Sequence, residues 1–229
     1  MNMKVMKMMT KSIILLSGGL DSLVSLGLTK DKLNVTLALT FDYGQKSVKD
    51  EIFASAKICD YYNVEHRVIK LDFLKEITNT SLVSGIDLPT GENPQDFNDC
   101  SSVWVPNRNG LFLNIASAYA DSYGFDNIII GANSEEAKTF SDNSKEFIDA
   151  VNNEFNYSTS IHPKVVAPLL NYDKIDIVKQ ALISNIPLEL TMSCYKGGKK
   201  HCGICESCVR LKHALEVNNA EKYIQKLFG

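Results

Sequence analysis

In the first half of the chain, short apolar runs alternate with longer stretches whose apolar residues recur every three or four positions. Ser12-Ile13-Ile14-Leu15-Leu16 reads as a buried parallel strand, and Val35-Thr36-Leu37-Ala38-Leu39-Thr40-Phe41 as a second. Between them, residues 21–28 open as a helix with Asp21 or Ser22 in the capping turn. Ile52, Phe53, Ala56, Ile58 and Cys59 fall at helical spacing within 48–62, and 65–71 alternates as a third strand. The pattern then predicts a helix over 111–123, a strand over 127–131 and a helix holding Phe147, Ile148, Val151 and Phe155. A strand over 165–169 and a helix over 174–184 follow. Such alternation predicts an α/β fold, a doubly wound parallel sheet covered on both faces. Ligands of such sheets sit at the carboxyl ends of strands, near the point where strand order reverses. Ser17 and Asp42 lie just past two such ends, so one nucleotide would reach both.

Residues 79–98 break the pattern with Gly85, Pro89, Gly91 and Pro94, and read as a long polar loop, either a lid or disordered. No internal repeat or low-complexity linker appears. The expected division is an α/β domain over 1–185 and a smaller C-terminal segment with a helix over 186–229.

Ser17-Gly18-Gly19-Leu20-Asp21-Ser22 joins the first strand to the first helix. Gly18 and Gly19 let the backbone approach closely and take dihedrals that other residues resist. The N–H groups of the first helical turn then point at a bound phosphate. The turn lacks the lysine and longer arch of the Gly-x-x-x-x-Gly-Lys loop, and it is not Gly-x-Gly-x-x-Gly. The competing reading is an ordinary glycine-rich strand–helix turn.

Cys194, Cys202, Cys205 and Cys208 form a C-x7-C-x2-C-x2-C pattern. Four thiolates closing a tetrahedron satisfy zinc and leave no open position, which makes such a site structural. An iron–sulfur cluster or a redox dithiol shares the ligand chemistry. His201 adjoins a ligand and competes as one. Cys59 reads as a plain core residue, and Cys100 as a thiol with no partner.

Composition narrows the partners. The 229 residues are 45% hydrophobic, enough for one sizeable core or a core with a small appendage. The formal charge of -3 gives no hint of a basic face, so small molecules rather than nucleic acid are the expected partners. The opening nine residues are too short and too charged for a secretory signal, and no apolar run approaches a membrane span. A cytoplasmic protein is expected, its cysteines serving metal or chemistry rather than disulfides.

The Ser17–Ser22 turn resembles the pyrophosphate loop (PP-loop) of the N-type ATP pyrophosphatases, whose fold is Rossmann-like. The wider chain resembles the 7-cyano-7-deazaguanine synthases of queuosine and archaeosine precursor biosynthesis. That likeness rests on the loop, Thr40-Phe41-Asp42-Tyr43-Gly44-Gln45, Val105-Pro106-Asn107-Arg108-Asn109, Pro187-Leu188-Glu189-Leu190-Thr191, Ser193-Cys194-Tyr195 and the Gly203 to Cys208 end. It implies an ATP-dependent ligase that turns 7-carboxy-7-deazaguanine and ammonia into a nitrile, with magnesium, structural zinc and a homodimer. ATP would be held by Leu16, Ser17, Gly18, Gly19, Leu20, Asp21 and Ser22, with Asp42 and Gln45 near adenine or ribose. Asp21 would help hold magnesium, and Arg108 would cover the α-phosphate or the substrate carboxylate. Asn133, Glu136, Phe140 and Asp142 would complete the substrate site. The bland readings are a surface ion pair for Arg108, a turn residue for Asp42, a helix cap for Asp142, and solvated side chains for Glu136 and Lys164. The segment 136–144 departs from the family pattern, with Asn143 and Ser144 where its best-known members carry Cys and Arg, so the base would be held differently. The alternatives are another AMP-forming ligase of the same loop family, a tRNA-thiolating enzyme, or a non-enzymatic cysteine ribbon that binds nucleic acid or protein.

Overall fold

The first strand is the centre of the sheet. In the computed structural model, which describes residues 10–97 and 101–229, β1 (Ser12–Leu15) pairs in parallel with β2 (Val35–Asp42) and with β4 (Asn127–Ile129). Beyond these lie β3 (Glu65–Lys70) and β5 (Lys164–Val166), also parallel, giving the order β3-β2-β1-β4-β5. The order reverses between β1 and β4, which is where such a sheet opens a crevice. The expected fold class is the one observed.

Alternation along β1 sends neighbouring side chains into opposite layers. Ile13 packs with Leu113 and Ala116 of α4 (Arg108–Tyr123) and with Ile148, Val151 and Phe155 of α6 (Lys145–Ser158). Ile14 packs with Leu23 and Val24 of α1 (Leu20–Thr29), Ile58 of α2 (Val48–Tyr62) and Ile177 of α7 (Lys174–Ile183). Both isoleucines are fully buried, which stabilises the sheet by roughly 1.5–3 kcal/mol for each such side chain. Leu211 and Leu215 of α8 (Glu206–Val217) and Leu227 of α9 (Glu221–Phe228) join the Ile14 cluster, so the C-terminal segment completes one covering layer.

Three local differences from the sequence reading have plain causes. The fifth strand stops at Val166, before Pro168, which has no N–H to continue a ladder. The helix expected from 111 begins at Arg108, because Asn107 takes a left-handed conformation and its carbonyl accepts the Leu111 N–H. The polar loop is packed rather than loose over its described residues. Leu82, Leu88 and Phe97 are buried in the core, the Gly91 N–H donates to the Ile204 carbonyl, and Thr90 bridges to Cys205. Apolar residues scattered among polar ones carry no periodicity, so that packing was hidden. Asn98 and Cys100 lie outside the described residues. Also between these elements lie α3 (Asp72–Ile77) and α5 (Ser134–Ala137).

Candidate active site

Gly18 requires its glycine. Its φ is +79°, and a Cβ there would lie 2.9 Å from the Glu51 carbonyl oxygen, so α2 presses directly against the turn. Gly19 differs from expectation. Its φ of -77° and ψ of 170° suit any residue, because it serves as the extended N-cap of α1. The Leu20 N–H, expected to face a phosphate, donates to the Ser193 hydroxyl oxygen at 3.1 Å. The Met192 N–H donates to the Gly18 carbonyl at 2.8 Å. Residues next to Cys194 are thereby fastened to the turn.

Beside the turn lies a cavity of about 220 Å³. Leu16, Ser17, Gly19, Leu20, Asp21, Ser22, Gln45, Arg108 and Glu136 line it, so most of the expected ATP residues and both candidate charged partners meet at one place. Gln45 reaches it with a committed amide: Nε2 donates to the Phe41 carbonyl and to Glu51 Oε2, and Oε1 accepts from the Tyr43 N–H. Asp42 is outside the lining. Its Oδ1 accepts from the Gly44 N–H and closes the turn after β2. Asn133 is fully buried, and its Oδ1 caps α5 by accepting from the Glu135 and Glu136 N–H groups. That cap aims Glu136 at the cavity. Phe140 and Asp142 line a smaller adjoining pocket instead. Lys164 is exposed and begins β5, at the opposite end of the strands from the site.

Lys174 was not a sequence candidate, yet it is central. It opens α7 behind the Asp173 cap, and its Nζ lies 2.5 Å from Asp21 Oδ2 and 2.7 Å from Glu136 Oε1. The only signal was its place in the capping turn after a strand, indistinguishable from a solvated lysine. Burial would lower Lys174, but the two carboxylates hold it above the ordinary lysine range. Burial raises Asp21 to about 6 despite Lys174. Glu136 keeps about a third of its side-chain exposure; partial desolvation pushes it up, yet Lys174 and Arg108 pull it below its usual range. Tyr43, Glu51 and Tyr195 also line the cavity without having been sequence candidates, and burial pushes all three up. Arg108 donates from a terminal nitrogen to Tyr43 Oη at 3.2 Å, and Tyr43 and Asp142 keep it charged against burial.

The residues fit a divalent cation. Asp21 Oδ1 is buried without a hydrogen-bond partner, and Lys174 joins Asp21 to a second carboxylate, Glu136, beside the Ser17–Ser22 turn. Oxygen ligands of this kind suit magnesium carried by phosphates. The cysteines fit a tetrahedral metal. Their four Sγ atoms lie within 4.8 Å of one another, with Cys202 and Cys208 3.8 Å apart. A tetrahedron with metal–sulfur bonds of 2.3 Å has edges of about 3.8 Å. His201 stands aside from this set, its Nε2 accepting from the Ser193 N–H. Cys59 sits in the core with its thiol pushed up to about 12 by burial.

Residues 11–219 match the model of the family described as queuosine biosynthesis protein QueC. The 7-cyano-7-deazaguanine synthase of Carboxydothermus hydrogenoformans is 52% identical over 211 residues, spanning 90% of this chain and 98% of the relative. The enzyme of the same name from Methanosarcina mazei is 47% identical over 216 residues, spanning 90% and 94%. Among solved structures, a 4-thiouridine synthetase bound to RNA and ATP superposes with a TM-score of 0.51 at 18% identity. That match covers 94% of this chain and 50% of the other, and it carries the fold alone. Among the described residues no helix is long and apolar enough to cross a membrane.

Proposed function

The chain belongs to the queuosine biosynthesis protein QueC family, and from that premise we propose that it converts 7-carboxy-7-deazaguanine and ammonia to 7-cyano-7-deazaguanine at the expense of two ATP. The reading is carried by one observation. The Ser17–Ser22 turn, at the reversal point of the sheet, opens on the same cavity as Arg108, Glu136 and Lys174.

A carboxylate is a poor electrophile because its leaving group would be oxide. Attack of a substrate carboxylate oxygen on the α-phosphorus forms a C–O–P linkage and releases pyrophosphate. Ammonia then attacks the acyl carbon, AMP leaves, and the amide results. The amide oxygen attacks a second ATP in the same way, and departure of AMP with loss of the nitrogen-bound protons leaves the nitrile. Each activation needs in-line positioning and a site built for developing negative charge. Ser17, Gly18, Gly19 and the α1 N-terminus would take the pyrophosphate. Arg108 would fork onto the α-phosphate or the substrate carboxylate. Lys174, released from one carboxylate by entering phosphate, would supply a further cation. Asp21 and Glu136 would hold magnesium, which offsets phosphate charge. Asn133 would set the cap that points Glu136, and Gln45 would brace the wall near the ribose. Asp42, outside the cavity lining, would serve by closing the turn after β2. Phe140 and Asp142 would meet the base.

The four cysteines would hold zinc, bracing 186–229 against the nucleotide domain of 1–185. A homodimer in the cytoplasm, feeding queuosine or archaeosine synthesis, completes the reading. The decisive experiment incubates the protein with ATP, ammonia and 7-carboxy-7-deazaguanine. AMP and the nitrile are expected. ADP in place of AMP, or no product from this acid, overturns the reading.

A further inference from the structure

The cysteine segment is tied to the glycine-turn cavity a second time, by a side chain that the proposed reaction does not use. Arg210 stands on α8, two residues past Cys208. Its Nε donates to Glu206 Oε1 at 3.0 Å, and a terminal nitrogen pairs with Glu135 Oε1 on α5. The Arg210 and Glu135 side chains keep only 16% and 21% of their exposure, so water screens this pair far less than a surface one. Glu206 is held from its other side by Tyr195, whose hydroxyl donates to Oε2 at 3.4 Å. Glu135 carries the fork onward to two residues of the larger cavity. Its Oε2 accepts the Lys174 N–H at 3.0 Å, one of the donors that the first turn of α7 leaves free. Its own N–H and that of Glu136 share the Asn133 Oδ1 cap, and the Ser134 N–H donates to the Tyr172 carbonyl at 3.0 Å. Glu135 therefore grips Lys174 by its backbone and Glu136 as its chain neighbour. Those are the two residues whose side chains meet at 2.7 Å in the cavity.

We infer that Arg210 is a positioning residue: through Glu135 it fixes where Lys174 and Glu136 stand relative to the glycine turn. For the chemistry those two residues serve, this rests on the function proposed above. The clamp acts on the backbone of α7, so Lys174 Nζ can leave a carboxylate for an entering phosphate while its anchor stays put. The Lys174–Glu136 contact cannot supply that constraint itself, because it is one of the contacts an entering phosphate would loosen. A guanidinium suits the task. It donates in two directions to carboxylates on two helices, Glu206 on α8 and Glu135 on α5, whereas an ammonium is a point charge on a flexible stem. The sequence hides this link, since Arg210 and Glu135 lie 75 residues apart.

Arg210→Gln and Glu135→Gln, singly and together in the intact protein, test the clamp well below the melting point. Each single variant should raise the magnesium concentration that half-saturates ATP binding by about tenfold, as loss of a group behind a metal ligand does elsewhere. Each should lower kcat by about tenfold to a hundredfold, because a displacement of about 1 Å suffices, with KM for the acid little changed. The double variant should be no worse than the poorer single one, because both changes remove the same contact. Arg210→Lys, which keeps the charge without the fork, should recover part of the loss. Metal at the cysteines should be unchanged in every variant. A residue that only braced the fold would lower Tm and leave both kcat and the magnesium requirement where they were. That result overturns the proposal, as do additive losses in the double variant or losses that follow metal released from the cysteines. Wild-type protein that makes no AMP from the acid overturns the functional reading instead, and the magnesium titration of ATP binding, run without acid, still decides the clamp.

Discussion

Lys174 Nζ lies 2.5 Å from Asp21 Oδ2, across 153 residues of sequence, and so couples the first turns of α1 and α7. The same ammonium reaches Glu136 from α5, so three helix starts meet at one cation. Removing one member of a buried ion pair costs about 3–5 kcal/mol. Here the Asp21 and Glu136 side chains keep 19% and 34% of their exposure, and water reduces the expected loss to about 1–2 kcal/mol. Lys174→Met should therefore lower Tm by several degrees, and magnesium should restore part of it by taking the position between the carboxylates. A melting curve that is unchanged in both conditions would sink the ion-pair account.

Asp21 should write itself into the pH profile. Burial raises its pKa to about 6, so the carboxylate is charged above that value and neutral below it. If the ionised form is needed for the phosphate-bound cation, kcat/KM for ATP falls tenfold per unit on the acid side of about pH 6. The stability sign is opposite. The folded-state value is above the unfolded one, so the folded chain binds the extra proton between about pH 4 and 6, and stability is lost as pH rises through that window. Asp21→Asn should be no less stable than the parent at pH 7, should keep its metal, and should lose turnover by about a hundredfold. Kinetics, melting and metal analysis on the same sample check all three.

Much of this is legible in the sequence. β1, β2, β3 and α2 are local patterns, short apolar runs and a 3.6-residue period, and they hold to within a residue or two. The Ser17–Ser22 turn and the cysteine spacing are chemistry written in consecutive residues. Lys174 was not legible, because its role depends on where Asp21 and Glu136 fall in space. Nor was the division of the candidate residues between two cavities, with Phe140 and Asp142 in one and the glycine turn in the other. Asn133 carries the same lesson in reverse: its polar side chain looked like a ligand group and caps a helix.

Loss of the metal should reach the nucleotide site. Cys194 follows Met192 and Ser193, whose N–H and hydroxyl are bonded to Gly18 and Leu20 of the glycine turn. Chelation at neutral pH should therefore weaken ATP binding before the whole chain unfolds. Binding free energy at a closed tetrathiolate site is also folding free energy, so Cys205→Ser should aggregate or melt far below the parent. Purified protein should be colourless with about one zinc per chain; a brown protein would point to an iron–sulfur cluster. Titrating a chelator while following ATP affinity and circular dichroism together separates the two effects. Simultaneous loss would break the link to the turn.

Arg108 provides the sharpest test of the two-cavity arrangement, because it borders both. Its position is fixed from three sides: it starts α4 after the left-handed Asn107, donates to Tyr43 Oη, and lies over the Tyr43 ring at 5.9 Å. Arg108→Lys keeps the charge and loses the planar fork, so it distinguishes attraction from bidentate geometry. If the fork aligns a carboxylate or α-phosphate for in-line attack, kcat should fall by about a hundredfold or more with modest change in KM for ATP. If only charge matters, lysine should retain most of the rate and alanine should not. Tyr43→Phe leaves the guanidinium in place but frees it from its anchor, and should cost only a few-fold. Steady-state kinetics on the three variants decide the matter. Equal rates for the lysine and wild-type enzymes would remove Arg108 from the reaction centre and leave it as a structural bridge between the walls.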